Sequence, residues 1–121
     1  MKTLKNLSLL NKYYPDYNLG KEYVADDTGK VYKLNEDGEK HEMSPYENRD
    51  GYIEYVLTNE DKVKKHIMCQ IIVAGLFVNG RTEIKNEVNH KNGKRNDNRK
   101  ENLEWASRAG NIQHSYDKLR K

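Results

Sequence analysis

The stretch that decides the fold is VNHKNGKRNDNRKENLEW, residues 88–105. It places one histidine, His90, directly after Asn89 and follows the pair with asparagines and basic residues. Asparagine favours turns, so the composition by itself indicates a polar loop. Apolar residues bracket that loop, however, and Leu103 and Trp105 fall on one face of an extended segment. The pattern predicts two short strands joined by a long loop that begins at a histidine.

Working outward, the predicted strands are residues 87–90 and 102–106, with the polar loop 91–100 between them. A final helix should follow, because Ser107 is a suitable N-cap residue. Its apolar stripe falls at positions i, i+4 and i+7, which are Ile112, Tyr116 and Leu119. The local order is therefore strand, long loop, strand, helix.

Upstream, the sequence alternates as strands do. Two β-type runs, 22–24 and 30–34, flank a DDTG turn, and residues 52–57 and 62–67 form a predicted hairpin. The acidic stretch between them, residues 35–51, has no periodicity and is predicted to be loop.

The apolar run CQIIVAGLFVNG fits a short buried helix or a strand, and the flanking strands favour a helix that Asn79-Gly80 would end. The single cysteine, Cys69, begins this run, so it is predicted to be a buried, inert thiol. One cysteine also excludes a disulfide framework and a CxxC zinc knuckle within one chain, and no structural zinc is expected.

Charge divides unevenly along the 121 residues. Residues 1–78 carry 11 basic and 13 acidic side chains, whereas residues 79–121 carry 11 basic and 6 acidic ones, a net charge of +5. The C-terminal third is therefore the part suited to a polyanion. No run approaches the roughly 18 apolar residues of a membrane span, and we expect an intracellular, soluble protein that does not bind a membrane.

The segment VNHKNGKRNDNRKENLEWASRAGNIQHSYD resembles the HNH motif of phage and intron-encoded HNH endonucleases. Asn89-His90 matches the family's first element, Asn92-Gly93 the turn, Asn102-Leu103-Glu104-Trp105 the second element and Asn111 the third. The resemblance implies an α+β fold, a small N-terminal β module (residues 1–60) before a ββα-metal nuclease core (residues 61–121). It also implies a metal-dependent DNA endonuclease of the phage homing type.

Carried over by position, the resemblance makes His90 and Asn102 the active-site pair, with His90 as general base and Asn102 as the structural member. Asn89 and Asn111 would bind one divalent metal, Mg²⁺ or Mn²⁺. Many members have Asp where this chain has Asn89, so both ligands are neutral here and metal binding without DNA should be weak. His114 and His66 are secondary candidates.

Double-stranded DNA is the implied partner, and five basic residues would contact its phosphates: Lys91, Lys94, Arg95, Arg99 and Lys100. One metal site cuts one strand, so a monomer would nick and a homodimer would cut both. Two alternatives stay open: a DNA-binding HNH module without cleavage, and an accessory nuclease that works with phage packaging proteins. The expected compartment is the cytoplasm of a bacterial host.

Overall fold

The computed structural model of the chain describes residues 3–110 and residue 112. They include three antiparallel sheets and the nine-residue α-helix α1 (Cys69–Phe77). The first sheet contains β1 (Lys5–Asn6), β2 (Tyr23–Ala25), β3 (Val31–Leu34) and β4 (Lys40–Glu42). The second contains β5 (Tyr46–Glu47), β6 (Ile53–Thr58) and β7 (Lys64–Met68). The third contains β8 (Glu87–His90) and β9 (Leu103–Ala106). Short 3-10 helices lie at Leu7–Lys12, Pro15–Tyr17 and Lys100–Asn102.

The hairpin predicted from the alternation at residues 52–67 is confirmed as β6 and β7. Two residues on the inward face of β6, Tyr55 and Leu57, are buried, whereas the other residues of that strand are only half-buried. The buried Asn59 closes the turn, because its side-chain oxygen accepts hydrogen bonds from the backbone of Asp61 and Val63, both at 2.9 Å. A side chain therefore fixes the turn of the hairpin. The helix α1 begins directly after β7.

The core forms around α1, which is apolar on nearly every side. The N-terminal 3-10 helix packs against it, and Leu10 lies where a Cβ on Gly75 would be. Only glycine allows that close approach. On another side Trp105 is buried and donates a hydrogen bond from Nε1 to the carbonyl of Val78 at 2.9 Å. The core thus joins the N-terminal residues to β9, and the α+β class is confirmed.

Cys69 opens the helix and is buried, as predicted. Burial raises the pKa of its thiol to about 12, and its sulfur contacts the carbonyl oxygen of Gly29 at 3.3 Å. A thiol with such a pKa is almost wholly protonated at neutral pH, which fits a packing role.

Two predictions about the middle of the chain were wrong. The stretch predicted to be loop, residues 35–51, contains β4 and β5. All five residues of these strands are exposed, so backbone pairing forms them without any hydrophobic alternation for the sequence to display. The helix also does not end at Asn79-Gly80. It ends at Phe77, because Val78 is already extended, and Gly80 takes its positive φ of 106° in the loop beyond.

The predicted division at residues 60 and 61 falls in the turn between β6 and β7. The buried cluster includes residues from both sides of it, such as Val31 and Leu57 before and Ile72 after. The division into a β module and a nuclease core stays a prediction. In the described part of the chain, no helix has the length and apolar character that crossing a membrane requires.

Candidate active site

The candidate site is built on the β8–β9 ladder. Asn89 pairs with Glu104 across the two strands, and His90 pairs with Leu103. Asn89 and His90 are both buried, and they are the last two residues of β8. Adjacent residues of a strand point to opposite faces, so the two side chains leave the strand on different sides. The predicted strand 87–90 is confirmed, while the second strand begins one residue later than predicted.

Asn102 holds the loop between the strands. Its Nδ2 donates to Oδ1 of Asn92 at 2.9 Å and to the carbonyl oxygen of Asp97 at 2.8 Å. Its Oδ1 accepts a hydrogen bond from the backbone N–H of Asn92 at 3.1 Å. The carbonyl of Asn102 also accepts from the backbone N–H of Lys91 at 2.8 Å. One buried amide therefore connects both halves of the loop to the beginning of β9.

His90 is held from within the same loop. Its Nε2 lies 2.7 Å from Oδ1 of Asn98, and both side chains are buried. The ring of Tyr52 lies beside the imidazole, with centroids 6.2 Å apart. Burial lowers the pKa of His90 below its usual value, against the smaller raising effect of the Asn98 hydrogen bond. The ring is thus kept neutral at physiological pH, the state that accepts a proton.

Asn89 is oriented by Glu104, a residue to which the motif alone gives no role. The Nδ2 of Asn89 donates to Oε2 of Glu104 at 2.7 Å. Among the described residues no hydrogen bond is made to Oδ1 of Asn89, so the amide oxygen points away from this partner. An oriented neutral oxygen suits a hard divalent cation, and the residue present at position 89 fits the metal that the HNH resemblance implies.

Asn111 and His114 lie outside the described residues, so the second predicted ligand and one secondary candidate have no described geometry. Ser107 immediately before them is described, and its Oγ accepts a hydrogen bond from the backbone of Gly110 at 3.0 Å. Residues 108–110 and 112 are helical, which agrees with the predicted N-cap. In the described part of the chain, no group of three or more His, Cys, Asp or Glu residues is arranged to hold a metal.

His66 lies in a cluster of side chains separate from the candidate site. Its side chain is 59% exposed, and its Nδ1 lies 2.8 Å from the hydroxyl of Tyr46 and 3.8 Å from Oε1 of Glu54. These contacts, among the residues described, connect it to β5 and β6 and not to the loop that carries His90.

All five predicted DNA-contact residues are exposed, and they fall into two groups. Three of them are engaged within the protein. Arg99 makes a bidentate pair with Asp97 at 2.8 and 2.9 Å, Lys100 lies 3.6 Å from Asp27, and Arg95 donates to the carbonyl of Asp50 at 2.6 Å. Lys91 and Lys94 have no ion pair among the described residues. The Arg99 pair holds the pKa of the Asp97 carboxyl well below its usual range.

The known proteins that this chain matches are HNH endonucleases. Residues 72–113 match the family model described as HNH endonuclease. An uncharacterized HNH endonuclease of Acanthamoeba polyphaga mimivirus is 35% identical over 96 residues, which is 78% of this chain and 23% of the relative. A solved structure described as DNA binding and cleavage by the HNH homing endonuclease I-HmuI has a TM-score of 0.75 at 23% identity. That likeness covers 98% of this chain and 60% of the other.

The chain belongs to the HNH endonuclease family. It spans about a quarter of the length of the curated relative that it matches. The likeness to the solved nuclease, at its level of identity, is one of fold. The family segment, residues 72–113, contains both strands of the candidate site and the loop between them.

Proposed function

We propose that the chain is a metal-dependent DNA endonuclease of the phage HNH homing type, which hydrolyses phosphodiester bonds. The observation that carries the proposal is the buried imidazole of His90, which Asn98 holds by a hydrogen bond, at the same end of β8 as the Asn89 amide that Glu104 orients. A neutral, fixed imidazole suits the activation of water that attacks a phosphodiester.

In this proposal His90 is the general base. Its burial keeps the ring unprotonated, so it can take a proton from the attacking water. Asn102 does not contact the substrate; it holds the loop so that His90 and the end of β8 keep their positions.

Asn89 and Asn111 would supply the amide oxygens that hold the metal. A bound Mg²⁺ or Mn²⁺ would polarise the scissile phosphate and stabilise the leaving oxygen. The role of Asn89 is supported by the Glu104 hydrogen bond, which orients its amide. For Asn111 the support is its place in the HNH motif and within the matched segment.

Double-stranded DNA would be bound by the exposed basic residues of the loop. Lys91 and Lys94 should contribute most, because Arg99 is already paired with Asp97 and Arg95 is held near Asp50. Residues 1–60 would act as a DNA-contact module ahead of the nuclease core, residues 61–121. A monomer would nick, and two chains would be needed to cut both strands in one event. We place the activity in the cytoplasm of a bacterial host.

The test is nicking of a supercoiled plasmid in Mg²⁺ or Mn²⁺, with and without EDTA. Nicking by the wild type that EDTA abolishes is expected, together with loss of nicking in His90→Ala. His41→Ala is the matched control, since His41 is exposed and distant in sequence from the loop. DNA affinity of His90→Ala, measured by fluorescence anisotropy, should remain that of the wild type.

The outcomes separate the candidate functions. Wild-type nicking by His90→Ala would overturn the catalytic assignment. Binding without nicking by the wild type in either metal would mean a DNA-binding module without cleavage. Mapped cuts at one position would support homing, whereas scattered cuts that increase with a phage packaging protein would support an accessory packaging role.

A further inference from the structure

The side chain of Asn98 makes a hydrogen bond to the His90 ring. Asn98 is not one of the residues on which the resemblance to the HNH motif rests. The distance from Oδ1 of Asn98 to Nε2 of His90 is 2.7 Å. Asn98 is 5% exposed and His90 is 7% exposed, so water does not compete freely for the bond. An amide oxygen at this distance accepts a hydrogen bond and cannot donate one.

The bond therefore fixes where the ring proton lies. With an oxygen acceptor on Nε2, the neutral imidazole carries its proton on Nε2 and its lone pair on Nδ1. We infer that Asn98 is a positioning residue that holds His90 as the Nε2–H tautomer and so makes Nδ1 the atom that accepts a proton. The role of Nδ1 as a catalytic base rests on the proposed function, whereas the assignment of the tautomer does not.

The loop segment that carries Asn98 lies near the first sheet, at the turn between β2 and β3. A Cβ placed on Gly29 would lie 3.7 Å from the Cβ of Asn98 and 2.7 Å from Sγ of Cys69. Gly29 has a φ of 100°, which favours glycine, and a side chain there would clash with Cys69 and not with Asn98. Nearby, the backbone N–H of Lys100 donates to the carbonyl of Asp27 at 2.9 Å.

That turn is itself rigid. Oδ1 of Asp26 accepts hydrogen bonds from the backbone of Thr28 and Lys30, at 3.0 and 3.1 Å, and the hydroxyl of Tyr55 donates to the carbonyl of Gly29 at 2.8 Å. The backbone hydrogen bond from Lys100 to Asp27 therefore attaches the loop segment that carries Asn98 to a fixed turn. The segment that carries Asn98 is thus attached to residues well before the HNH segment.

The direct test is ¹⁵N NMR of the free protein labelled at histidine, at about pH 8, where the ring is neutral. A protonated Nε2 and an unprotonated Nδ1 are expected for His90. In Asn98→Leu, which keeps similar volume but has no acceptor, a buried Nε2–H would be unsatisfied, so the Nε2–H population should fall. A wild-type ring protonated on Nδ1, or an unchanged tautomer in Asn98→Leu, would overturn the inference.

The second readout is plasmid nicking. Asn98→Leu should lower kcat by about 10- to 100-fold, the usual effect of removing the partner that orients a functional histidine, with KM little changed. Asn98→Asp keeps an oxygen acceptor and should restore much of the activity. Asn96→Leu is the control, because Asn96 is exposed in the same loop.

These outcomes stay distinct from the proposed function. If Asn98→Leu fails to fold, the wild-type tautomer and the Asn98→Asp variant still decide the inference. If the wild type shows the Nε2–H tautomer but does not nick DNA, the positioning role of Asn98 stands and the proposed activity falls. A kcat unchanged in Asn98→Leu alongside active wild type would remove the positioning role.

Discussion

Replacing Asn102 with alanine tests whether one amide holds the active-site loop. The substitution removes three side-chain hydrogen bonds, two that connect it to Asn92 and one to the carbonyl of Asp97. A hydrogen bond contributes about 0.5–1.5 kcal/mol, and buried partners left unsatisfied raise the cost. The free energy of unfolding should therefore fall by about 2–4 kcal/mol, a large share of the stability of a small domain.

Urea denaturation followed by circular dichroism measures this decrease. At an m-value of about 2 kcal/mol/M the midpoint should fall by about 1–2 M. Asn96→Ala is the matched control, since Asn96 lies in the same loop, is exposed and has no hydrogen bond among those described. Its midpoint should stay close to that of the wild type, as surface substitutions usually leave it. Equal midpoints for the two variants would refute the reasoning that Asn102 anchors the loop.

Three further predictions follow from the same site. Because burial lowers the pKa of His90 and the base acts when neutral, the nicking rate should rise with pH with its midpoint below about pH 6.5; a rate still climbing steeply between about pH 7 and 8 would contradict this. Replacing both Lys91 and Lys94 with alanine should weaken DNA binding. The slope of log K against log salt concentration, measured by anisotropy, should become shallower by about 0.9 for each phosphate that is no longer neutralised. Asn89→Asp should bind Mg²⁺ more tightly without DNA than the wild type, by titration calorimetry, because the substitution adds a negative charge at the proposed ligand position beside the Glu104 carboxylate; equal affinities would contradict the assignment of Asn89.

The strands of the site could be predicted because their patterns are local. Glu87–His90 was predicted with its observed bounds, and the inward face of β6 follows from simple alternation. Strands such as β4 could not be predicted in this way, since Lys40–Glu42 is exposed along its whole length and forms through backbone pairing with β3. Hydrophobic periodicity reports burial, so a strand with no buried face leaves no trace in it.

Within the site, the sequence identified residues by motif but not by contact. His90 and Asn102 stand at recognisable positions of the HNH pattern. Asn98 does not, because an asparagine in the stretch KNGKRNDN resembles its neighbours until the fold buries it and exposes Asn96. The loop that carries it is attached to the β2–β3 turn by the backbone hydrogen bond from Lys100 to Asp27, residues about seventy positions apart, a separation that no local pattern encodes.

The hydrogen bond between Asn89 and Glu104 changes how the neutral ligand at position 89 is understood. From the sequence, asparagine in place of the family's common aspartate leaves a site that is poor in negative charge. The β8–β9 register places the carboxylate of Glu104 directly across the ladder, where it accepts a hydrogen bond from the Asn89 amide at 2.7 Å. An aspartate at position 89 would instead face a second carboxylate on the neighbouring strand, an arrangement that destabilises the pair. Asn89 and Glu104 are therefore compatible as a pair. The negative charge that many family members carry at the position of Asn89 lies on the neighbouring strand in this chain, at Glu104.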